Sequence, residues 1–430
     1  MKVLMFGWEF PPHISGGLGT ACYGLTKGMH AVGDLEILFV IPKSYGDEDQ
    51  STMRILGAHE VNLGEKLVNY QEFLKDIKFI QVESNIIPYA DPEEYEKIVN
   101  LKKNKKSSII NTVLGGNINF SGGYGPNLWQ EISDYAVIAR RIAKLFDFDI
   151  IHSHDWLTYP AGIAAKNESG KPLVVHVHAT DFDRSGGSVN PGVYSLEREG
   201  MHAADRVIAV SNLTRNTVIT NYGVPSNKVV TVHNAVEPSK KRQDIKASKN
   251  INDKIVTFLG RITLQKGPEY FVEAAAKVLQ KMPNVRFVMA GSGELMTRMI
   301  ERAAQLKIGE KFHFTGFLKG DQVQEMFDMS DVYVMPSVSE PFGISPLEAM
   351  QSDVPVIISK QSGVSEILDN AIKVDFWDID AMADAIYGIL SYDGLNKQFK
   401  KNARTEVDNL KWENAARKVK TIYNSLVPTT

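Results

Sequence analysis

The stretch Asp331–Met350 reads DVYVMPSVSEPFGISPLEAM and contains three kinds of local sequence in succession. Its first five residues, DVYVM, form a short and mostly apolar run that is typical of a buried strand. A loop, PSVSEPFGI, follows it. Ser345 and Pro346 then favour the start of a helix, because serine caps helices well and proline suits the first turn. The stretch therefore predicts a strand–loop–helix unit, as found in parallel α/β sheets.

The same alternation of apolar runs and amphipathic segments extends over most of the chain on both sides of this stretch. It predicts an α/β fold with two doubly wound, Rossmann-like domains and right-handed crossovers. Predicted helices include Leu18–Ala31, Leu128–Phe146 and Pro191–His202. The predicted strands are Val3–Phe6, Glu36–Ile41, Phe79–Glu83, Ile150–Ser153, Leu173–Val177, Arg206–Val210, Ile255–Leu259, Val285–Ala290, Phe312–Thr315, Val332–Met335 and Val354–Ile358.

The alternation stops once, at the polar stretch EPSKKRQDIKASKNINDK, Glu237–Lys254, which we interpret as a domain linker. The predicted domains are therefore 1–236 and 255–410, with a final helix over 411–430. Residues 91–126 fit the alternation less well, and we predict that they form an insertion, such as a lid. Two open α/β domains joined by a linker predict a cleft, with ligands outside the carboxyl ends of the strands.

Composition narrows the class of protein. The 430 residues are 43% hydrophobic and 23% charged, as in soluble globular proteins. The net charge of −3 favours neither nucleic acid nor an anionic membrane as a partner. The single cysteine, Cys22, suits a reducing cytoplasm. No apolar run approaches the length of about 18 residues that an integral membrane segment needs, and the N-terminus predicts a strand rather than a signal peptide.

Two glycine-containing turns are candidate phosphate-binding sites. In ISGGLGT, Gly16 and Gly17 open a helix after the first strand, where backbone N–H groups can approach an anion. A plain tight turn explains this pattern equally well. In GRITLQKG, Arg261 and Lys266 follow a strand and could bind a diphosphate through charge-assisted hydrogen bonds. The alternative is a solvated basic turn.

Two glutamates enclose the helix start of the opening stretch, with seven residues between them. Glu348 lies three residues after Ser345, which is the spacing of a capping box, so it could simply cap its own helix. Glu340 has no such local role, and it follows a strand at the edge where ligands bind.

Histidines follow two strands of the first half, in HSHDW (His152–Trp156) and HVHATDFDR (His176–Arg184). Strand alternation puts His152 with His154, and His176 with His178, on the same face. No metal-binding spacing accompanies them, so we predict no metal site. No nucleophile elbow surrounds a serine, and Cys22 lies in no known motif.

Several motifs, taken together and in order, resemble those of retaining glycosyltransferases with the GT-B architecture. EPFGISPLEAM resembles their paired-glutamate signature, GRITLQKG their phosphate clamp and SGGLGT their N-terminal glycine loop. HSHDW and HATDFDR are similar to first-domain motifs of the glycogen/starch synthase branch and of nearby family-4 enzymes. The resemblance spans most of the chain, and it implies that the final helix crosses back to the N-terminal domain.

The resemblance implies a nucleotide-sugar donor on the C-terminal domain and a glycan acceptor on the N-terminal one, with no cofactor and no metal. It assigns Glu340 to the donor sugar's hydroxyls, Glu348 to the ribose, and both Arg261 and Lys266 to the pyrophosphate. The resemblance implies that the catalytic residues are His178, Glu340, Arg261 and Lys266. It places His178 beside the anomeric carbon. Further nucleotide-sugar contacts are assigned to Gly16, Gly17, Phe317, Phe342, Gly343, Ile344 and Ser345. Asp155, Trp156 and Asp181 are placed near the donor sugar and acceptor.

One position departs from the pattern. Bacterial and plant glycogen and starch synthases carry a lysine two residues before the paired glycines, where this chain has Ile14. This departure favours the family-4 branch. The resemblance as a whole implies transfer of a hexosyl unit, such as glucose, with glycogen synthase-like extension of an α-glucan. The alternative is family-4 synthesis of a surface polysaccharide or glycolipid. A nucleotide-sugar epimerase and an inactive glycan-binding protein are the remaining hypotheses.

Overall fold

The computed structural model describes residues 1–13, 16–63, 117–237 and 252–427. The predicted strand Phe79–Glu83, Ile14 and most of the predicted linker lie outside these residues. Contacts between Cα atoms divide the chain into two compact units. The first contains 1–181, 188–234 and 412–430, and the second contains 182–187 and 235–411.

A seven-stranded parallel sheet forms the centre of the first unit, in the order β3-β2-β1-β4-β5-β6-β7. Its strands, in chain order, are β1 Lys2–Phe6, β2 Glu36–Ile41, β3 Arg54–Gly57, β4 Ile150–His154, β5 Leu173–Val177, β6 Arg206–Ala209 and β7 Val229–Thr231. Its helices are α1 Gly17–Val32, α2 Leu128–Leu145, α3 Tyr159–Ser169, α5 Pro191–Ala203, α6 Asn212–Tyr222 and the C-terminal α13 Trp412–Leu426. The short α4, Asp181–Ser185, lies at the boundary with the second unit.

A six-stranded parallel sheet forms the centre of the second unit, in the order β10-β9-β8-β11-β12-β13. Its strands are β8 Lys254–Leu259, β9 Val285–Ala290, β10 Phe312–Gly316, β11 Val332–Met335, β12 Val356–Ser359 and β13 Ile372–Val374. Its helices are α7 Pro268–Lys281, α8 Met296–Gln305, α9 Asp321–Met329, α10 Ser345–Gln351, α11 Ile379–Ser391 and α12 Asp393–Val407. The two sheets confirm the predicted α/β class.

The central strands are buried because helices cover the sheets on both faces. All residues of β4 and β5 are buried, as are those of β11 and β12. In the second unit, Phe258 and Phe287 of the sheet pack with Phe271 of α7. In the first unit, α13 packs against α1. No described helix is both long enough and apolar enough to cross a membrane.

Three strands were not predicted from the sequence, and the predicted boundaries of several others were wrong. The missed strands β3, β7 and β13 each have only three or four residues and lie at sheet edges. So short a run shows little periodicity. Strand β12 begins at Val356 rather than at Val354. Lys254, predicted as the last linker residue, begins β8.

The two compact units differ from the predicted N-terminal domain, 1–236, at two places. Residues 182–187 belong to the second unit, and that unit resumes at Ala235 rather than after the linker. The Ser339 hydroxyl donates a hydrogen bond to the Asp183 carboxylate at the first exception, and the Val236 N–H donates one to the Leu410 backbone carbonyl at the second. Of the predicted insertion, residues 117–126 are described, and Ile118 and Phe120 are buried there. The rest of the insertion lies outside the described residues.

Candidate active site

The topology of the second sheet brings two predicted loops together. The order of its strands reverses between β8 and β11, which are direct neighbours, and ligands of open α/β sheets bind at such switch points. The loop after β8 carries Arg261 and Lys266, and the loop after β11 carries Glu340. Gly267 permits their close approach, since a Cβ placed on it would lie 2.1 Å from the Pro336 carbonyl oxygen.

Lys266 and Glu340 form an ion pair at this point. The Lys266 Nζ lies 2.5 Å from Glu340 Oε2, and the two side chains are 22% and 9% exposed. The Ser337 hydroxyl donates to the same carboxylate oxygen at 3.2 Å. The resemblance assigns Lys266 to the pyrophosphate and Glu340 to the sugar. In this structure the two side chains therefore pair with each other. A bound donor would have to separate them.

Gln265, which no sequence pattern singled out, joins the two loops. Its Nε2 donates to the Ser339 carbonyl at 3.1 Å, and its own carbonyl accepts from the Val338 N–H at 2.9 Å. Its side-chain Oε1 accepts from the Arg261 guanidinium at 3.2 Å. On the other side, the Glu340 N–H donates to the Gln361 carbonyl at 3.0 Å. The backbone of the Glu340 loop is thus held from both neighbouring loops.

The predicted capping box is absent. Helix α10 begins at Ser345 itself, Ile344 occupies the cap position, and no side chain caps the helix. The Ser345 hydroxyl instead pairs with the buried Tyr333 hydroxyl at 2.8 Å. Ser345 therefore forms a tertiary hydrogen bond with Tyr333 instead of the predicted capping box with Glu348.

Glu348 is partly buried and makes no side-chain hydrogen bond with the residues that the structure describes. Burial raises the pKa of its carboxyl to about 6. A carboxylate that is costly to bury and lacks a local partner is suited to accept hydrogen bonds from ligand hydroxyls.

Replacing Glu348 by glutamine is expected to stabilise the unliganded protein above pH 6. The folded state holds its proton up to about pH 6 and the unfolded state only to about 4.5, so stability falls as pH rises through that window. The loss is on the order of 2 kcal/mol, and neutral glutamine avoids it. Urea unfolding from pH 4.5 to 8 measures the difference. Glu301→Gln, at an exposed helix position, is the control; a parallel response of both variants would contradict the assignment.

The remaining predicted donor contacts lie around the same loops. Phe342 is buried, and its carbonyl accepts from the Val364 N–H at 2.7 Å. Gly343 has φ of 98°, in the left-handed region that favours glycine. Phe317, after β10, is 52% exposed, with the Lys319 ammonium 5.8 Å from its ring centroid. An exposed ring at this edge of the sheet is free to stack on a planar base.

In the first unit, four histidines lie on one face of the sheet. Strands β4 and β5 are neighbours, and their register pairs His154 with His176. His152 and His178 then lie on the same face by strand alternation. His154 Nδ1 lies 3.0 Å from His178 Nε2, and His152 Nδ1 bonds the Tyr423 hydroxyl of α13. Burial lowers the pKa of all four, that of His178 to about 3, so the rings are neutral.

Two groups of side chains in this cluster bring possible metal-ligand atoms within 4.8 Å of one another. They are His152, His154 and His176, and Cys22, His154 and His178. The four rings are nevertheless stacked, with interplanar angles of 10° to 36°. An imidazole lone pair lies in the plane of its ring, so stacked rings do not direct their lone pairs at one point. Metal ligands have to converge in that way.

Other predicted residues of the first unit are placed as follows. Asp155 and Trp156 are each 1% exposed, and the Trp156 ring packs 5.7 Å from that of Trp129. Asp181 is also buried and accepts from the Asn190 N–H at 2.6 Å. Gly16 and Gly17 begin α1, and a Cβ on either would meet nothing within 4 Å. The two glycines thus have room on the side where a Cβ would lie, whereas Asp155, Trp156 and Asp181 are all buried.

Two family models match the chain side by side. Residues 110–240 match Glycosyltransferase Family 4, and residues 239–406 match Glycosyl transferases group 1. The chain is 27% identical to an uncharacterized glycosyltransferase of Methanocaldococcus jannaschii, with 98% of both chains covered. It is 22% identical to a glycogen synthase of Mycobacterium tuberculosis, covering 98% of this chain and 94% of that one.

Solved structures share the fold. The sucrose-phosphate synthase of Thermosynechococcus elongatus superposes with a TM-score of 0.70 at 17% identity, over 99% of this chain and 98% of the other. Anabaena HepE, in complex with UDP and glucose, gives 0.67 at 14% identity, over 99% of this chain and all of the other. The family models, together with the shared fold, identify the chain as a glycosyltransferase of the GT-B type. Within that class, the chain belongs to the family-4-like glycosyltransferases.

Proposed function

We propose that this glycosyltransferase is a retaining enzyme that moves a hexosyl unit, glucose in the first instance, from a nucleotide diphosphate sugar to an α-glucan. The second unit would bind the donor and the first unit the acceptor. The observation that carries the donor site is the Lys266–Glu340 pair at the switch point of the second sheet. A cation for the diphosphate and an acid for the sugar hydroxyls meet there.

In this proposal, negative charge develops on the leaving phosphate and positive charge on the anomeric carbon. Lys266 and Arg261 stabilise the phosphate oxygens as fixed cations, which is the kind of electrostatic preorganisation that accelerates reactions most. The leaving phosphate oxygen accepts the acceptor's proton on the face from which it departs. Retention then requires no protein nucleophile, and the sequence motifs contain none. His178 keeps the role beside the anomeric carbon that the resemblance gives it.

The two side-chain cations replace a metal ion in the proposal, so neither a cofactor nor a metal is required. The stacked imidazoles of the first unit support this view. Transfer is expected to persist in a chelator such as EDTA, and metal-dependent transfer would contradict it. The reducing environment suited to the single Cys22 keeps the cytoplasm as the proposed compartment.

The decisive experiment is a donor panel. UDP-glucose and ADP-glucose are each incubated with glucan, oligosaccharide and lipid-like acceptors, and released nucleoside diphosphate is measured by a coupled assay. Transfer to glucan supports the proposal, whereas transfer only to a lipid-like acceptor supports the alternative of family-4 glycolipid or surface polysaccharide synthesis. Ile14, at the position of the synthases' lysine, favours that alternative. Epimerisation of UDP-N-acetylglucosamine without acceptor would indicate an epimerase, and binding without turnover an inactive glycan-binding protein.

The product formed from an α-linked sugar nucleotide is expected to be α-linked. Departure and attack on the same face of the anomeric carbon preserve its configuration. Proton NMR of the anomeric region during the first turnovers measures this directly, and a β anomer would exclude the proposed mechanism.

Replacing Glu340 by glutamine is expected to have opposite effects on binding and on transfer. The change releases Lys266 from its ion pair, so UDP or ADP alone should bind about threefold to tenfold more tightly. An ion pair worth about 1 kcal/mol, which the nucleotide has to break, lowers its affinity by a factor in that range. Sugar transfer should fall. Calorimetric titration with the free nucleotide and the donor assay measure the two effects, and weaker nucleotide binding would show that the pair does not compete with the diphosphate.

A further inference from the structure

Residues 182–187 belong to the second unit, although the chain on both sides of them belongs to the first. Within this segment, Asp183 is only 4% exposed, and its Oδ1 accepts a hydrogen bond from the Ser339 hydroxyl at 2.6 Å. A Cβ placed on Gly186 would lie 3.1 Å from the Leu264 side chain. The segment therefore contacts both loops that carry the donor-site residues, and Asp183 contacts the residue next to Glu340.

This contact differs from the backbone hydrogen bonds that hold the Glu340 loop. Gln265, Gln361 and Gly363 hold it through hydrogen bonds to its backbone, which also occur where two loops simply pack together. The bond to Asp183 joins two side chains, and a carboxylate as acceptor makes it shorter and stronger than a neutral hydrogen bond. Burying a carboxylate costs free energy. A buried carboxylate that accepts a hydrogen bond from a loop serine therefore indicates a role for that contact.

We propose that Asp183 is a positioning residue that acts through Ser339 to hold Glu340 where it can exchange Lys266 for the hydroxyls of the donor sugar. The proposal rests on the donor site described above. Glu340 lies one peptide bond from the anchored serine, so rotation of the Ser339 backbone moves its carboxylate directly. Binding geometry matters here because displacements of about 1 Å at a reacting centre cost up to about a hundredfold in rate.

Four variants test this with the donor that the wild-type enzyme uses, UDP-glucose or ADP-glucose. Ser339→Ala removes the donor of the hydrogen bond, Asp183→Ala removes its acceptor, and the double variant removes both. Ser339→Thr keeps a hydroxyl, and partial exposure of Ser339 leaves room for the methyl group. Ser391→Ala, which deletes an exposed hydroxyl at the end of α11 in the same unit, is the control.

Each alanine variant is expected to lower kcat by about tenfold to a hundredfold, which is the range for a lost hydrogen bond to a charged group. Affinity for the free nucleoside diphosphate should stay within about twofold, because Glu340 keeps its charge in these variants and can still pair with Lys266. The double variant should be no worse than the poorer single variant, since both remove the same bond. Ser339→Thr should recover most of the lost rate.

Hydrogen exchange of the unliganded protein gives a readout that needs no activity. Exchange within residues 338–343 should be faster in Ser339→Ala and Asp183→Ala than in the wild type, and unchanged in Ser391→Ala. Additive losses, unchanged kcat, or nucleotide affinity lost in parallel with kcat would overturn the positioning role. If the wild-type enzyme transfers sugar from neither donor, the proposed function is contradicted. The hydrogen-exchange experiment would still test the contact between Asp183 and Ser339.

Discussion

Replacing Lys266 by alanine is expected to lower transfer by about a hundredfold to a thousandfold while leaving the fold intact. Removing one preorganised donor from a developing oxyanion typically costs that much. Lys266 is only 22% exposed and lies at the switch point, so little water could replace its ammonium on a bound diphosphate. Initial rates with saturating glucan, together with circular dichroism of the folded variant, measure the effect.

Lys277→Ala is the matched control. Lys277 lies in α7 of the same unit and pairs with Asp380, but both side chains are exposed. Exposed pairs of this kind contribute little to stability, and this one lies on neither donor-site loop. The control should transfer at nearly the wild-type rate. If Lys266→Ala folds and does the same, then Lys266 is not part of the phosphate site.

Replacing Gly28 by alanine is expected to destabilise the first unit by about 1–3 kcal/mol or more, through overpacking of α1 against α13. A Cβ on Gly28 would lie 2.6 Å from the carbonyl carbon and oxygen of Trp412. Those are backbone atoms, so no change of rotamer relieves the contact, and the C-terminal helix has to move. Urea unfolding of the wild type and the variant measures the loss.

Gly388→Ala controls for the change of glycine to alanine itself. Gly388 lies within α11, and a Cβ there would meet nothing within 4 Å. Alanine should stabilise that helix by roughly 0.5–1 kcal/mol, because it loses less backbone entropy on folding. Equal responses of Gly28→Ala and Gly388→Ala would show that α1 and α13 are not in close contact.

The sequence predicted strands best where the run is mostly apolar. The fully buried β5 was predicted to the residue, as were β2, β9 and β11, because an apolar run with turn residues at both ends needs no knowledge of its neighbours. The edge strands β3, β7 and β13 were missed, since three or four residues with partly exposed side chains carry no such pattern. Their strand conformation depends on the neighbouring strand that they pair with.

Ser345 shows how tertiary structure overrides a local signal. Ser345 and Glu348 have the spacing of a capping box, and within a peptide that pairing would have been the best available one. In the folded unit the buried Tyr333 hydroxyl needs a partner and takes the Ser345 hydroxyl. Asp183 shows the converse, since its sequence context gives no signal of the contact with a serine 156 positions later.

The sequence by itself determined the α/β alternation and the chemistry of the loops after the strands, with Arg261, Lys266 and Glu340 among their residues. These properties depend on neighbours within a few positions along the chain. Only the tertiary structure decided that β8 lies beside β11, so that Lys266 meets Glu340 across 74 positions. Strand order follows from how the helices and strands bury their apolar faces together. No single segment contains that information, because burial is a property of the whole unit.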